Sequence, residues 1–188
     1  MRGLGKRLMA GRLAVHYETG VMVLNENGDT IDLISVQDMA LSDWGIVYER
    51  WVGLELEQMG WEVDYRGLTL GFLDKGIDLV AFREGKSRYL QCKFIHTVFS
   101  KQLIEQILYN GSQYLSTKTL NRGDLYELVV PYVDKAFPPL RKKNKPAAEN
   151  FQKRRFLGHN QTQSQIRLAI TEISMDIQCP VRGVPGMR

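Results

Sequence analysis

Residues 76–94 read GIDLVAFREGKSRYLQCKF, and this stretch decides the fold. Two largely apolar runs, at 77–83 and 89–94, flank the short polar segment Glu84-Gly85-Lys86. Runs of this length on either side of a glycine turn are typical of two strands joined as a β-hairpin. We therefore expect a sheet built around this pair of strands.

The segments on both sides of the hairpin predict helices and further strands. From Ser42 or Asp43, either of which can cap a helix, apolar residues follow helical spacing until Gly60, and residues 61–66 predict a strand. Helical spacing returns at 99–115, and a strand is predicted at 126–133. Since Pro131 cannot donate to a ladder, that strand is expected either to lie near an edge or to end early. The predicted order is α-β-β-β-α-β.

The two ends of the chain are predicted as additions to this core. In residues 1–40 we expect a β-hairpin extension, with Asn27-Gly28 as a type I′ turn between the runs at 21–24 and 31–36. The core is assigned to 41–178, and within it a basic segment at 135–155, a short helix near 147–157 and a last strand at 167–175. Residues 179–188 are expected to form a loose tail.

Composition sets broad limits on the class of protein. The chain has 188 residues, 44% hydrophobic and 24% charged, which is ordinary for one globular domain and argues against a disordered, collagenous or coiled-coil chain. No apolar run approaches the length of a bilayer span, and no secretory leader is apparent. Cys92 and Cys179 have no C-x-x-C partner, so neither a zinc site nor a disulfide framework is indicated. We expect a cytoplasmic protein without a membrane partner.

Positive charge is concentrated in one segment. The formal net charge is +4, and eight basic against two acidic side chains lie between Asp134 and Arg155. A polyanion such as DNA would release counterions on binding there, although a solvated basic loop explains a short charge run equally well. The candidate nucleic-acid-binding residues are Arg141, Lys142, Lys143, Lys145, Lys153, Arg154 and Arg155.

The hairpin brings polar side chains of three kinds together. Asp78 lies in an apolar strand, where an unpaired carboxylate is costly, and Gln91 and Lys93 share one face of the next strand. The glycine turn would place Asp78 beside both residues. An acid, an amide oxygen and a lysine could bind a hard divalent cation and activate water, but a cross-strand ion pair without function has the same spacing.

These motifs resemble those of a known group of enzymes. The chain is similar to the PD-(D/E)xK nuclease superfamily, and within it to Mrr-like restriction endonucleases, through Tyr48-Glu49, Gly60-Trp61-Glu62-Val63, Gly76-Ile77-Asp78 and Gln91-Cys92-Lys93. It also resembles archaeal Holliday-junction resolvases in the pair Glu49-Arg50 before Gly60. The resemblance covers about residues 43–133. It implies an α/β, restriction-endonuclease-like α-β-β-β-α-β core with a mixed central sheet flanked by helices.

The resemblance also implies roles for individual residues. Asp78 would be the principal metal ligand, Lys93 would position or activate water, and Gln91 would occupy the position of the second carboxylate. The helix carboxylate would be Glu49, with Glu55 in reserve. Asp74 matches an acidic position of Mrr-like loops and could bind metal through water or simply form a turn. Two helix residues, Gln102 and Gln106, match positions that face the active site in relatives.

The expected activity is Mg²⁺-dependent hydrolysis of phosphodiester bonds in DNA, with Mn²⁺ able to substitute. Two alternatives stay open: a resolvase acting on branched DNA, and a catalytically inactive nucleic-acid-binding module on a nuclease fold. Cutting both strands usually takes two active sites related by symmetry, so a homodimer through the N-terminal hairpin is an additional hypothesis.

Overall fold

The structure, a computed structural model, describes residues 3–16, 18–70, 76–95, 97–141, 143, 145–159 and 166–175. The helices and strands are, in chain order, α1 (Gly3–Leu8), β1 (Arg12–His16), β2 (Gly20–Leu24), β3 (Thr30–Ser35), α2 (Leu41–Gln58), β4 (Glu62–Asp64), α3 (Arg66–Leu70), β5 (Leu79–Arg83), β6 (Lys86–Cys92), α4 (Lys101–Leu115), β7 (Leu125–Val130), α5 (Val133–Ala136), α6 (Phe151–Leu157) and β8 (Arg167–Glu172).

The main sheet is five-stranded and mixed, in the order β4-β5-β6-β7-β8. The pairs β4-β5 and β5-β6 are antiparallel, whereas the pairs β6-β7 and β7-β8 are parallel. Side chains of α2 pack on one face and those of α4 and α6 on the other. The fold is therefore mixed α/β with a central sheet flanked by helices. The predicted order α-β-β-β-α-β is present, with the short helix α3 added between β4 and β5.

The turn predicted at Glu84-Gly85-Lys86 is present between β5 and β6, but it has two residues, and Lys86 already belongs to β6. Glu84 and Gly85 both have positive φ, 51° and 73°, and Arg83 pairs with Lys86 across them. A two-residue turn with positive φ at both positions matches the twist of the strands that it joins. This turn sets the register of the hairpin and hence the position of Asp78 relative to the end of β6.

The predicted N-terminal hairpin is present as β2 and β3, which pair antiparallel, but it is extended and its turn differs from prediction. β1 pairs with β2, so residues 12–35 form a three-stranded antiparallel sheet, β1-β2-β3, preceded by helix α1. No type I′ turn forms at Asn27-Gly28, because only Gly28 has positive φ. Instead the side-chain oxygen Asn25 Oδ1 accepts hydrogen bonds from the backbone N–H groups of Asn27 and Asp29, which stabilises a longer loop.

Several element boundaries also differ from prediction. α2 begins at Leu41, and the carboxylate of Asp43 accepts the backbone N–H of Ala40 instead of serving as the cap residue. β7 ends at Val130 but lies between β6 and β8, so Pro131 ends the strand early and does not mark an edge. The helix predicted at 147–157 is shorter, Phe151–Leu157, and β8 ends at Glu172. The tail predicted at 179–188 lies outside the described residues.

Two apolar clusters stabilise the sheet from its two faces. The cluster on the α2 face also contains core residues of α1 and of the three-stranded sheet, so the N-terminal segment shares a core with the main sheet. Among the described helices, none combines the length and the hydrophobicity needed to cross a bilayer.

Candidate functional site

Asp78 and Gln91 meet where β5 begins and β6 ends. Leu79 and Leu90 form the last pair of the β5-β6 ladder, so Asp78 directly precedes that pair and Gln91 directly follows it. The backbone N–H of Asp78 donates to Leu90 O at 2.9 Å, a bond that a continued antiparallel register would not contain, so the ladder becomes irregular at Asp78. Both side chains are buried, with 5% and 4% exposure. The acid and the amide therefore lie at the same end of the hairpin.

The carboxylate of Asp78 is held by the backbone of the neighbouring strand. Its Oδ2 accepts the N–H of Cys92 at 2.6 Å. A hydrogen bond to an ionised acceptor is stronger than one between neutral groups, and it offsets part of the cost of burying the charge. The acid is thereby fixed next to the peptide that joins Gln91 to Lys93.

Glu49 approaches the same place from α2. A Cβ atom placed on Gly67 would lie 2.4 Å from Glu49 Oε2, so the carboxylate packs directly against this glycine. The N–H of Gly67 in turn donates to the carbonyl oxygen of Asp78 at 2.8 Å. A side chain at position 67 would displace Glu49, so α3 brings the helix carboxylate close to the backbone of Asp78.

The thiol of Cys92 responds to all three predicted charges. Burial raises the pKa of this thiol well above its ordinary value, the negative charges of Asp78 and Glu49 raise it further, and Lys93 lowers it. The carboxylate of Glu127, which is bonded to Arg88, raises this pKa as well, so the thiol reports the charges around it and not contact with each of them. Lys93 itself is half-buried and follows the last residue of β6. The structure thus brings together Glu49, Asp78, Gln91 and Lys93.

Two residues that the sequence analysis did not select complete the surroundings of Gln91. The hydroxyl of Tyr126 lies 3.1 Å from Gln91 Oε1 and 3.0 Å from Ile107 O. Burial raises the pKa of Tyr126, and so does the charge of Asp78. A Cβ at Gly76 would lie 2.9 Å from Asn110 Cβ and 3.3 Å from Gln91 Nε2. The sequence signal that could have identified this residue is a polar side chain, Asn110, next to the apolar face of α4.

Other candidates lie elsewhere. Glu55 is six residues after Glu49, which turns it about 240° around α2. Gln102 and Gln106 are exposed on α4, and the buried face of that helix carries the residues near Gln91. Asp74 lies outside the described residues.

Arg50, the partner of Glu49 in the resolvase-like pair, is buried and has a different environment. Its guanidinium donates to Leu8 O at 3.3 Å and Gly11 O at 3.1 Å, and also to the hydroxyl of Tyr65. The Tyr65 hydroxyl donates to Glu57 at 2.8 Å. Arg50 therefore attaches the N-terminal segment to α2, on another side of the helix from Glu49.

The basic segment divides into two parts with different positions. Arg141, Lys143 and Lys145 are exposed in the loop between α5 and α6, whereas Lys142 lies outside the described residues. This loop leaves the sheet after β7, which is parallel to β6, so it starts at the edge where Lys93 follows β6.

The other three basic residues, Lys153, Arg154 and Arg155, belong to α6. Arg155 Nη1 lies 3.5 Å from Glu105 Oε1 of α4. Glu105 and Asn110 are about 140° apart around α4. Asn110 faces Gly76 and Gln91, and Phe156 of α6 packs on Tyr126 with 6.0 Å between the ring centroids, so α6 touches the residue whose hydroxyl is bonded to Gln91.

The donor set fits one kind of metal ion better than others. Within the described ranges, no three His, Cys, Asp or Glu side chains come together as a metal cluster. Two carboxylates and an amide are hard oxygen donors, and Mg²⁺ is commonly held by one or two carboxylates together with water and a substrate phosphate. The residues present therefore fit Mg²⁺ shared with a phosphate and do not fit a closed protein cage.

Comparison of the chain with protein-family models, with curated proteins and with solved structures finds no match.

Proposed function

We propose that this protein is a divalent-metal-dependent DNA endonuclease that hydrolyses phosphodiester bonds, of the PD-(D/E)xK type and similar to Mrr-like enzymes. The observation that carries the proposal is the hydrogen bond from the Cys92 N–H to Asp78, which holds the acid between Gln91 and Lys93, together with the packing of Glu49 on Gly67, whose N–H donates to Asp78 O. Glu49, Asp78 and Lys93 come from α2, from the residue before β5 and from the residue after β6. The order of those elements is the one that the nuclease resemblance implies.

Each residue has a role that its position supports. Asp78 is oriented by Cys92 and would hold the metal ion, with Glu49 acting directly or through water. Lys93, at the end of β6, would orient the attacking water and offset negative charge developing on the phosphate. When bound, Mg²⁺ would polarise the phosphate and make a bound water more acidic. Gln91 would occupy the second-ligand position as a neutral and weaker donor.

The loop after α5 supports DNA as the substrate. Its exposed Arg141, Lys143 and Lys145 lie in a segment that leaves the sheet at the edge where Lys93 follows β6. Positive side chains in this loop would hold the DNA backbone through counterion release and lengthen the time that DNA spends at the acids.

The test is nicking of supercoiled plasmid with Mg²⁺ or Mn²⁺. Wild-type protein is expected to nick, and Asp78→Asn and Lys93→Met are each expected to lower the rate by at least about a hundredfold. Lys86→Met, at the exposed start of the same strand as Lys93, and Glu62→Gln, on exposed β4, are the matched controls. Activity that survives in both site variants would remove these residues from the mechanism. A four-way junction beside a linear duplex of the same sequence tests the resolvase alternative.

One observation favours a second candidate, a DNA-binding module without catalysis. Gln91 Oε1 lies within hydrogen-bonding distance of the Tyr126 hydroxyl, and an oxygen engaged there is a poorer metal ligand. Calorimetric titration with Mn²⁺ separates the candidates. Binding that Asp78→Asn abolishes supports the nuclease, whereas no Mn²⁺ binding together with firm DNA binding supports the inactive module.

A further inference from the structure

Arg66 lies next to the backbone of Asp78. It is the first residue of α3 and directly precedes Gly67, whose N–H donates to Asp78 O at 2.8 Å. The last pair of the β4-β5 ladder is Asp64 with Val80, and Arg66 and Asp78 each lie two residues beyond that pair. The start of α3 therefore places Arg66 close to the acid.

The guanidinium of Arg66 points to the α4 side of the sheet. Its Cζ lies 4.9 Å from the ring centroid of Tyr114, which is one helical turn from Asn110. Stacking on an aromatic ring holds the plane of a guanidinium and leaves its N–H groups directed outward. Arg66 is therefore oriented on the face where Asn110 and Gln91 meet.

The guanidinium of Arg66 has a hydrogen-bond donor without an acceptor among the described residues. Arg66 Nε is buried and has no hydrogen-bond partner among the described residues. Its ion-pair partner Asp64 has Oδ2 3.7 Å from Nη1 and a side chain that is 51% exposed. A buried donor without an acceptor costs about 1–3 kcal/mol, which a ligand oxygen would recover. The Arg66 side chain is 21% exposed, so a ligand can reach it from solvent.

Other arginines of the sheet find acceptors within the protein. Arg88 makes two short hydrogen bonds, of 2.5 and 2.6 Å, to the carboxylate of Glu127. Arg83 stacks on Trp61, with Cζ 4.7 Å from the ring centroid, and donates to Met59 O at 2.8 Å. Arg66 has the same kind of stacking as Arg83 but lacks such an acceptor in the described part of the chain.

We propose that Arg66 binds a phosphate of the DNA backbone adjacent to the phosphate at Asp78, an inference that rests on the proposed function. A phosphate offers two oxygens to the guanidinium fork, which matches the unused donors. Its place beside Asp78 makes Arg66 a substrate-positioning residue: it would fix the register of the DNA strand across the acids.

The test measures binding of a short fluorescein-labelled DNA duplex by anisotropy, in EDTA to prevent cleavage, over a series of KCl concentrations. Arg66→Gln is expected to weaken binding about tenfold and to lower the slope of log K against log[KCl] by about one. The matched control is Arg83→Gln, which also removes a stacked arginine but at the far end of β5. It should leave both quantities unchanged. An unchanged slope in Arg66→Gln, or equal losses in both variants, overturns the inference.

A second variant, Arg66→Lys, keeps the inference testable if Arg66→Gln does not fold, which circular dichroism would detect. Arg66→Lys keeps the charge but loses the fork, so it is expected to keep the salt slope and bind several-fold more weakly than wild type. Wild-type affinity in Arg66→Lys contradicts a bidentate contact. Plasmid nicking by the wild-type protein separates the two claims. Nicking with binding that does not depend on Arg66 overturns the phosphate site alone, whereas Arg66-dependent binding without nicking overturns the nuclease alone.

Discussion

The carboxylate of Asp78 and the backbone N–H of Cys92 are joined by a 2.6 Å hydrogen bond across the β5-β6 hairpin. This bond lies at the point where the regular ladder ends, because β5 starts at Leu79 and β6 ends at Cys92. A side-chain oxygen there accepts an N–H that a strand carbonyl would otherwise accept. The acid is consequently positioned by the backbone between Gln91 and Lys93.

Two substitutions of Asp78 should separate its structural role from its catalytic role. Asp78→Asn keeps an oxygen for the Cys92 N–H, whereas Asp78→Ala leaves that buried donor without an acceptor, at a cost of about 1–3 kcal/mol. In urea denaturation Asp78→Ala should therefore unfold at clearly lower urea than Asp78→Asn, and both should lose nicking. Equal stability of the two variants would show that the hydrogen bond contributes nothing to folding.

The two helix carboxylates should differ in metal binding. Glu49 packs against Gly67 near Asp78, whereas Glu55 projects from another side of α2. Glu49→Gln is expected to weaken Mn²⁺ binding about tenfold or more, and Glu55→Gln to leave it unchanged. Isothermal titration of Mn²⁺ in the presence of a short duplex measures both. The reverse order of effects would assign the helix ligand to Glu55.

Arg50 should matter for stability and not for chemistry. Its buried guanidinium bonds the carbonyls of Leu8 and Gly11. Arg50→Met leaves those acceptors and the partners Tyr65 and Glu57 without their cation, and breaking a buried charged network of this kind costs about 3–5 kcal/mol. The free energy of unfolding in urea measures the loss. Arg12→Met, at an exposed position of β1, should stay within about 0.5 kcal/mol of wild type.

The stability of the protein should fall at alkaline pH because of Cys92. Burial and the charges of Asp78 and Glu49 raise the pKa of this thiol in the folded state, whereas the unfolded thiol has a pKa of about 8.5. The folded state therefore binds more protons above that pH. The stabilisation is complete below about pH 8.5 and declines as the pH rises toward the folded pKa.

Urea denaturation in EDTA between about pH 8 and pH 10 tests this dependence. The wild-type free energy of unfolding should fall with pH more steeply than that of Cys92→Ala. The comparison uses slopes, since removing the thiol group also changes packing. Parallel curves for the two proteins would contradict a raised Cys92 pKa.

The two parts of the basic segment should contribute unequally to DNA binding. Replacing Arg141, Lys143 and Lys145 together by serine should lower duplex affinity about tenfold or more and reduce the salt slope by about two to three. Replacing Lys153, Arg154 and Arg155 together should have the smaller effect, because Arg155 is already paired with Glu105 of α4. Anisotropy over a KCl series measures both triple variants. A larger loss in the α6 variant would mean that α6, and not the loop, carries most of the contacts with DNA.

Local patterns predicted the elements with strong signals. Glu84-Gly85 forms the predicted turn because glycine adopts positive φ without steric cost, and Glu84 also has positive φ there. The helical spacing before Gly60 gave α2, since one apolar stripe of that length has few alternative structures. By contrast α3 was missed, because a helix of five residues carries no readable period. It is supported by the contacts of Gly67 with Glu49 and Asp78, which are distant in sequence.

The sequence by itself determined the hairpin, because apolar runs on both sides of the glycine in Glu84-Gly85-Lys86 favour paired strands. The structure decided that the turn has two residues, and with it the register of the strands. The sequence also identified Glu49, Asp78, Gln91 and Lys93 as candidates. Only the tertiary structure decided that Glu49 approaches Asp78 through Gly67, that Arg50 holds the N-terminal segment, and that Arg66 stacks on Tyr114. Each of these contacts joins different elements, and the packing of helices on a sheet depends on the whole apolar core and not on any local pattern.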